Sequence, residues 1–544
     1  MRKLSAYTVV GLLTLLLAGC GGSPKEDAQG GESGSAADSA SVLKININAE
    51  VKDLDPHLVT GVPEHRVLAS LFDGLTGVDP ATFEPLPAAA ESWTISEDKL
   101  VYTFKLRADG KWSNGDPVTA KDFIYSYKRM LSPALAADYA YLLFCLKNAK
   151  AFNQGTIASF DEVGAKAIDD HTLELTLEYP TPYLLAMQIH QAWFPVHQAT
   201  IEAHGAMDQR GTPWTRGGNH VGNGPFRLTE WSPNEIIRVA RNEHYWERDK
   251  VRLDGIEFYP IDDLSTEERS FRSGKIQMTG DVPEHKIAEY QEKDPGLIHI
   301  DPYLGVYFYR LNTTRPPFND KRVRQALSLA TDREELARNV TKGGQMPAAS
   351  YVPPGIPGYE GTPRLEFNPE KAKALLAEAG FPDGKGLPPV EILYNTSEQH
   401  KKIAEVMQQM WRKHLGLEVR LLNQDWKVYL DSTNSLDYDL ARAAWIGDVM
   451  DPMNFLEMWL TDGGNNRTGY ANPAYDALIQ QAYAEPDTDK RYDLLKQAED
   501  IVLEDLPIVP IYFYTRKYLQ SPEVKGYVPN VLGYHRFQDF YLEK

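Results

Sequence analysis

In the stretch ARAAWIGDVMDP, residues 441–452, an arginine and an aspartate stand six positions apart in an otherwise apolar run. Burying a charge is costly unless it is paired or hydrogen-bonded, so Arg442 and Asp448 need something to hold. A guanidinium can fork two N–H groups onto one carboxylate, and a carboxylate can accept from an ammonium. One base and one acid at a set separation would suit a ligand carrying both signs. On a strand, Arg442 shares a face with Leu440 and Ala444, and the chain then turns at Gly447 before Asp448. On residue types alone, a structural salt bridge between the two, or with their neighbours, is the simpler reading.

Other chemistry is hard to find. His190, His197 and His204 recur every seven residues, but Pro195 interrupts the run, and a zinc site needs three or four ligands at workable spacing. In GFPDGKG (380–386) only three residues separate the first and second glycines, and Gly386 stands where a phosphate loop carries Ser or Thr. It follows a helix end and reads as a turn, so any ATP hydrolysis belongs to a partner. No H-E-x-x-H, G-x-S-x-G or Cys–His pattern is visible. Nothing points to an enzyme, a metal or a cofactor. Of two cysteines, Cys145 lies in the apolar YAYLLFCLKNA and reads as a buried small hydrophobe.

The elements around these residues alternate between strand and helix. LVYTFKLRADGKW opens as a strand, Asn114-Gly115-Asp116-Pro117 makes a turn, and Thr119 caps a helix with Asp122 three residues on. HTLELTLEYP alternates Leu173, Leu175 and Leu177 as a half-buried strand stopped by Pro180. NPEKAKALLAEAG has Asn368 as cap, Pro369 at the first helical position and Gly380 past the end. PVEILYN and LEVRLLN are strands flanking a helix that presents Ile403, Val406, Met407, Met410, Trp411 and His414 on one face. Strand–helix–strand over so short a stretch predicts a parallel pair. The chain reads as α/β lobes around mixed sheets.

The start of the chain sets the compartment. Met1-Arg2-Lys3 is basic, Tyr7–Ala18 is apolar, and LAGC (17–20) resembles the bacterial lipobox, in which Cys20 is diacylated. Residues 21–41 are rich in Gly, Ser and Ala and read as a flexible tether. A soluble body held at a membrane by lipid is expected, with no other apolar run long enough to span a bilayer. The rest is large enough for two or three lobes. With 57 basic and 76 acidic residues the net charge is −19, which argues against nucleic acid. The 29 Tyr and 10 Trp include enough aromatics to line a broad, rigid contact surface beyond those needed in cores.

Three blocks carry a family resemblance: EHRVLASLFDGLTGVDP with AAESWTISEDKLVYTFKLRADGKWSNGDPVTAKDFIYSYKRMLSP, then YFYRLNTTRPPFNDKRVRQALSLATDREELARNV, then ARAAWIGDVMDPMNFLEMW. Together they resemble the family 5 bacterial solute-binding proteins of ABC importers, in particular the oligopeptide-binding branch. The resemblance covers 42–544. It implies a three-lobed, periplasmic-binding-protein-like fold (type II, cluster C) with mixed sheets and a hinge between two main lobes. Lobe I would be 42–72, 200–300 and 516–544; lobe II 73–199; lobe III 301–515.

By the same resemblance Asp448 would hold a peptide's amino end and Arg442 the carboxyl end of a short peptide. Trp445, Trp426, Tyr139 and Tyr514 would line side-chain pockets. Val62, Ala444 and Ile446 would also contact the ligand, Val62 through its backbone. Thr60 stands where a relative has an acid, and Ile446 where it has a half-cystine, so that disulfide is lacking. The expected partners are short peptides, ABC permease subunits and, through Cys20, a membrane, with the protein a monomer on the extracytoplasmic face (periplasm or cell surface). A cell-wall or signalling peptide, a metal chelate or an oligosaccharide is the alternative ligand.

Overall fold

The computed structural model describes residues 41–543, so the basic start, the apolar run, Cys20 and the tether to residue 40 lie outside the described residues. Within them the strands form three larger sheets and two small ones. One sheet orders 42–46, 255–259, 236–241 and 226–232, with a parallel pair at its edge and antiparallel pairs beyond. A second, antiparallel throughout, orders 90–95, 101–106, 172–176 and 165–169. The largest orders 346–347, 508–519, 298–311, 440–446, 390–395 and 419–424. Its first four strands are antiparallel, and its last three run parallel. The architecture is α/β with mixed sheets, as the alternation of elements predicts.

Local chemistry explains the elements that carry the site. Thr119 and Asp122 form a reciprocal capping box at the start of helix Ala120–Met130. Leu173 and Leu175 are fully buried while Glu174 between them is half-buried, the period-two pattern of a strand covered on one face. Asn368 accepts from the Lys371 N–H at 3.1 Å and so caps helix Pro369–Glu378; Gly380, at φ +96°, ends the turn after it. The 390–424 segment is the parallel strand–helix–strand unit. Its helix Glu398–Leu415 buries Ile403, Met407, Met410 and Trp411 together with Ala404 and Leu415. Val406 and His414 lie on the flank of that stripe and stay half-buried. Cys145 is buried, its thiol donates to the Leu142 carbonyl, and burial pushes it up to about 12.

Two long strands, Ile298–Leu311 and Ile508–Leu519, run antiparallel with a register shift between Pro302 and Val306. On one side of that shift Met278 bridges to both Ile45 and Gln520, tying the pair to the 42–46 sheet. On the other side the same strands form the middle of the six-stranded sheet.

Candidate functional site

Strand Leu440–Ile446 pairs with 298–311 along its whole length, from Leu440 opposite Leu311 to Ile446 opposite Gly305. Its other edge meets 390–395 only at Leu440 and Ala441. From Arg442 onward that edge has no strand beside it among the described residues. The Gly447 N–H donates to the Leu304 carbonyl at 2.7 Å. By the alternation of an antiparallel ladder, Ala443 and Trp445 therefore exchange hydrogen bonds with the 298–311 strand. The N–H and C=O groups of Arg442, Ala444 and Ile446 point the other way. The Arg442 carbonyl accepts from the Tyr429 hydroxyl. Ala444 and Ile446 border a cavity of about 970 Å³.

All nine residues chosen from the sequence line that one cavity: Asp448, Arg442, Trp445, Trp426, Tyr139, Tyr514, Val62, Ala444 and Ile446, as does Thr60. Arg442 is 9 % exposed. It donates to Asn395 Oδ1 at 3.2 Å and to the Tyr514 hydroxyl at 3.0 Å, and its guanidinium lies 5.0 Å from the centre of the Tyr307 ring. None of these carries a negative charge, and Nε has no partner at all. His400 borders the same cavity with Nδ1 unpartnered, and burial, Arg442 and Lys517 hold its pKa well below the ordinary histidine value.

Asp448 has 17 % of its side chain exposed. Asn454 positions it twice: Oδ1 accepts from the Asp448 N–H at 2.8 Å, and Nδ2 donates to the carboxylate at 3.2 Å. His190 Nε2 is 3.6 Å away. The Ala192 N–H donates to His190 Nδ1, so the neutral ring carries its proton on Nε2, and burial keeps that ring neutral. With no cation beside it, burial pushes the Asp448 carboxyl up to about 7. The salt-bridge reading of Arg442 and Asp448 therefore fails: among the described residues neither faces an opposite charge.

Aromatic walls join the two ends. Tyr139 packs edge-on against His190, with ring centres 4.5 Å apart, and lies 6.2 Å from Trp445. The Trp445 indole N–H donates to Asn454 Oδ1 at 3.3 Å, so one asparagine orients both Trp445 and Asp448. Trp426 opens helix Trp426–Asn434 and stacks on Tyr429. Val62 is the first residue of helix Val62–Leu71, where the backbone N–H has no intrahelical acceptor. The three regularly spaced histidines do not converge: His190 faces Asp448, His197 meets Thr200 and Asp116, and His204 bonds the Thr200 carbonyl.

Several lining residues escape a reading by sequence. Arg310 sits in YFYRLN, a charge in an apolar strand, which is the same signal that drew attention to Arg442. Arg467 and His400 stand in polar surroundings and give no such signal.

Comparison with known proteins is consistent with this geometry. Residues 84–467 match the family described as bacterial extracellular solute-binding proteins, family 5 middle. The oligopeptide-binding protein OppA of Bacillus subtilis (strain 168) is 36% identical, with 100% of each chain covered. OppA of Haemophilus influenzae, solved in complex with the peptide RPPGFSPFR, superposes with TM-score 0.87 at 35% identity, covering 93% of this chain and 100% of that one. The murein tripeptide-binding protein MppA of Escherichia coli gives 0.88 at 35% identity over 93% and 99% of the two chains. Its unliganded open form gives only 0.63 at 36% identity over 92% and 97%.

Proposed function

The chain belongs to the bacterial extracellular solute-binding proteins of family 5, and on that premise we propose that it captures short peptides outside the cytoplasm and delivers them to an ABC permease. A family 5 protein binds solutes for transport and is not an enzyme. The observation that carries the peptide reading is the free strand edge with an unpaired cation and an unpaired anion at its two ends, all in one cavity. A peptide lying along that edge exchanges backbone hydrogen bonds with Ala444 and Ile446. Its ammonium meets Asp448, and a carboxylate in reach meets Arg442, Tyr514 and His400. The N–H of Val62 offers a further main-chain contact. Trp426, Trp445, Tyr139 and Tyr514 then wall the side chains without choosing among them. The free edge from Arg442 to Ile446 is four residue steps of about 3.4 Å each, so a peptide of roughly three or four residues runs along it between the two charges.

The division into lobe I (42–72, 200–300, 516–544), lobe II (73–199) and lobe III (301–515) belongs to this reading. It is supported by the three larger sheets, whose strands keep to one lobe each except at 298–311 and 508–519. Those two strands are the proposed hinge. Closure about it is supported by the lower similarity to the relative's open form. The lipid on Cys20, the tether and a monomeric body complete the proposal.

Native mass spectrometry of the protein purified from cells, followed by denaturation and sequencing of what is released, tests it. Mixed short peptides are expected. Recovery of a sugar or a metal chelate overturns the peptide reading.

A further inference from the structure

Arg310 lies in the 298–311 strand opposite Ala441, on the sheet face shared by Ala443 and Trp445 and opposite to that of Arg442. It is 4 % exposed and borders the cavity. Its Nε has no partner, and among the described residues no carboxylate lies within salt-bridge distance of it. Its nearest aromatic support is Phe308, 5.8 Å from the guanidinium to the ring centre. Arg467, 8 % exposed, lines the same cavity; its Nη2 reaches Asp138 at 3.2 Å and its Nε is also unpartnered. Burial and the charge of Arg467 together hold the Arg310 pKa below its ordinary value, as expected of two cations sharing a small volume. Two guanidiniums against one carboxylate leave a positive charge without a counter-ion. Trp445 projects from the same sheet face as Arg310 and is held by the Asn454 that also holds Asp448, and Asp138, the partner of Arg467, is the chain neighbour of Tyr139, so this excess charge belongs near the amino-terminal end of the ligand.

A peptide paired to the free edge sends successive side chains to opposite faces of the sheet, and one of them goes to the Arg310 face. We propose that Arg310 and Arg467 form a pocket for an acidic side chain of the bound peptide, resting on the peptide reading above. A ligand carboxylate there replaces the missing counter-ion of a buried cation and can take two parallel N–H groups from one guanidinium. Glutamate or aspartate at one position is then preferred over their amides, and lysine at that position is rejected by the like charges.

The test is a scan by isothermal titration calorimetry on the full mature protein, stripped of bound ligand by denaturation and refolding. The probes are tri-alanine and its variants carrying a single Glu, Gln or Lys at each position in turn. At one position Glu is expected to bind about tenfold or more tighter than Gln, and Lys weaker than Gln. Arg310→Met should bring the ratio of Glu to Gln affinity at that position to about one, read against its own tri-alanine affinity; Arg310→Lys should retain part of the preference, and serves if the methionine variant does not fold. Equal affinity for Glu and Gln at all three positions, with tri-alanine bound, overturns the acidic pocket and leaves the peptide reading intact. Failure of every probe, tri-alanine included, overturns both. If Arg310→Met weakens tri-alanine but not tri-alanine amide, the pocket reads the terminal carboxylate and the side-chain assignment is overturned.

Discussion

Arg129 and Asp55 meet through two parallel hydrogen bonds, Nη1 to Oδ1 at 2.9 Å and Nη2 to Oδ2 at 2.5 Å, while Arg129 Nε donates to the Met207 carbonyl. Arg491 and Asp451 form the same fork, at 2.8 Å on each side. Arg442 and Asp448 are nearly as buried and face nothing of opposite sign. The carboxyls register the difference. Burial pushes Asp55 up, but the Arg129 guanidinium more than offsets it, and Asp55 ends below its ordinary value. Asp448, with burial and only an asparagine, rises to about 7. Closed pairs in the body of the protein hold the fold. Open charges in the cavity destabilise it, and on the proposed reading a ligand completes them.

Crossed substitutions break that comparison most forcefully. Asp55→Asn leaves Arg129 buried without its counter-ion and should cost about 3–5 kcal/mol of stability in urea unfolding, with unchanged tripeptide affinity in the folded fraction. Asp448→Asn should do the reverse. Truncating one partner of a buried charge pair costs about 2–5 kcal/mol of binding, so affinity for a free-amine tripeptide should fall by about a hundredfold while the ligand-free protein melts no lower. N-acetylated peptide, lacking the ammonium, should bind wild type as poorly as the free peptide binds Asp448→Asn. If both aspartate variants lose stability and neither loses affinity, the distinction between the two regions is wrong.

Acid sharpens the same contrast. Only the Asp448 carboxylate accepts from an ammonium, and in the ligand-free protein the group titrates at about 7. The peptide amine stays protonated below about 7.7. Affinity should therefore fall as the pH is lowered from 7 to 5, by up to about fiftyfold if only the ionised form binds, and binding near pH 6 should release a proton into the buffer. Calorimetry in buffers of different ionisation enthalpy reads both. Stability has the opposite sign. A carboxyl raised from its model value of 3.8 to about 7 by folding favours the folded state at low pH, and that contribution is lost as the pH rises through 7. Asp448→Asn should melt a few degrees above wild type at pH 8, by a smaller margin at pH 5, and level with it only below the ordinary value of 3.8, all measured without peptide.

Much of this was legible beforehand for physical reasons. Caps at Thr119 and Asn368 and the parallel pair around helix Glu398–Leu415 follow from short-range chemistry. Arg442 and Asp448 stood out because charge in an apolar run is rare. Their partners were not legible. Asp451 lies three residues past Asp448 in the same stretch, yet it is closed by Arg491, forty residues on. Which of two neighbouring aspartates is paired depends on a contact that no local pattern encodes. The free edge of strand Leu440–Ile446 is equally long-range, since it exists only because 390–395 diverges after Ala441. Arg310 shows the remaining gap: its signal matched that of Arg442, but nothing in the sequence brings it together with Arg467.

The smallest effect is the most informative about geometry. On the proposed reading, Asp448 meets an amino end that every free peptide has, whereas Arg442 meets a carboxylate only when the peptide ends beside it. Arg442→Gln keeps a donor toward Asn395 and Tyr514 but removes the charge, and a hydrogen bond to a charged group contributes about 1.5–3 kcal/mol. A tripeptide or tetrapeptide should thus lose about tenfold or somewhat more in affinity. Its C-terminal amide should bind wild type and variant alike, and a hexapeptide, whose carboxylate lies beyond the strand edge, should be indifferent to the change. Loss of affinity for all three ligands would instead mean that Arg442 shapes the cavity wall through Asn395 and Tyr514. The strand would then present one open charge, at Asp448, and the separation of two charges would not measure peptide length.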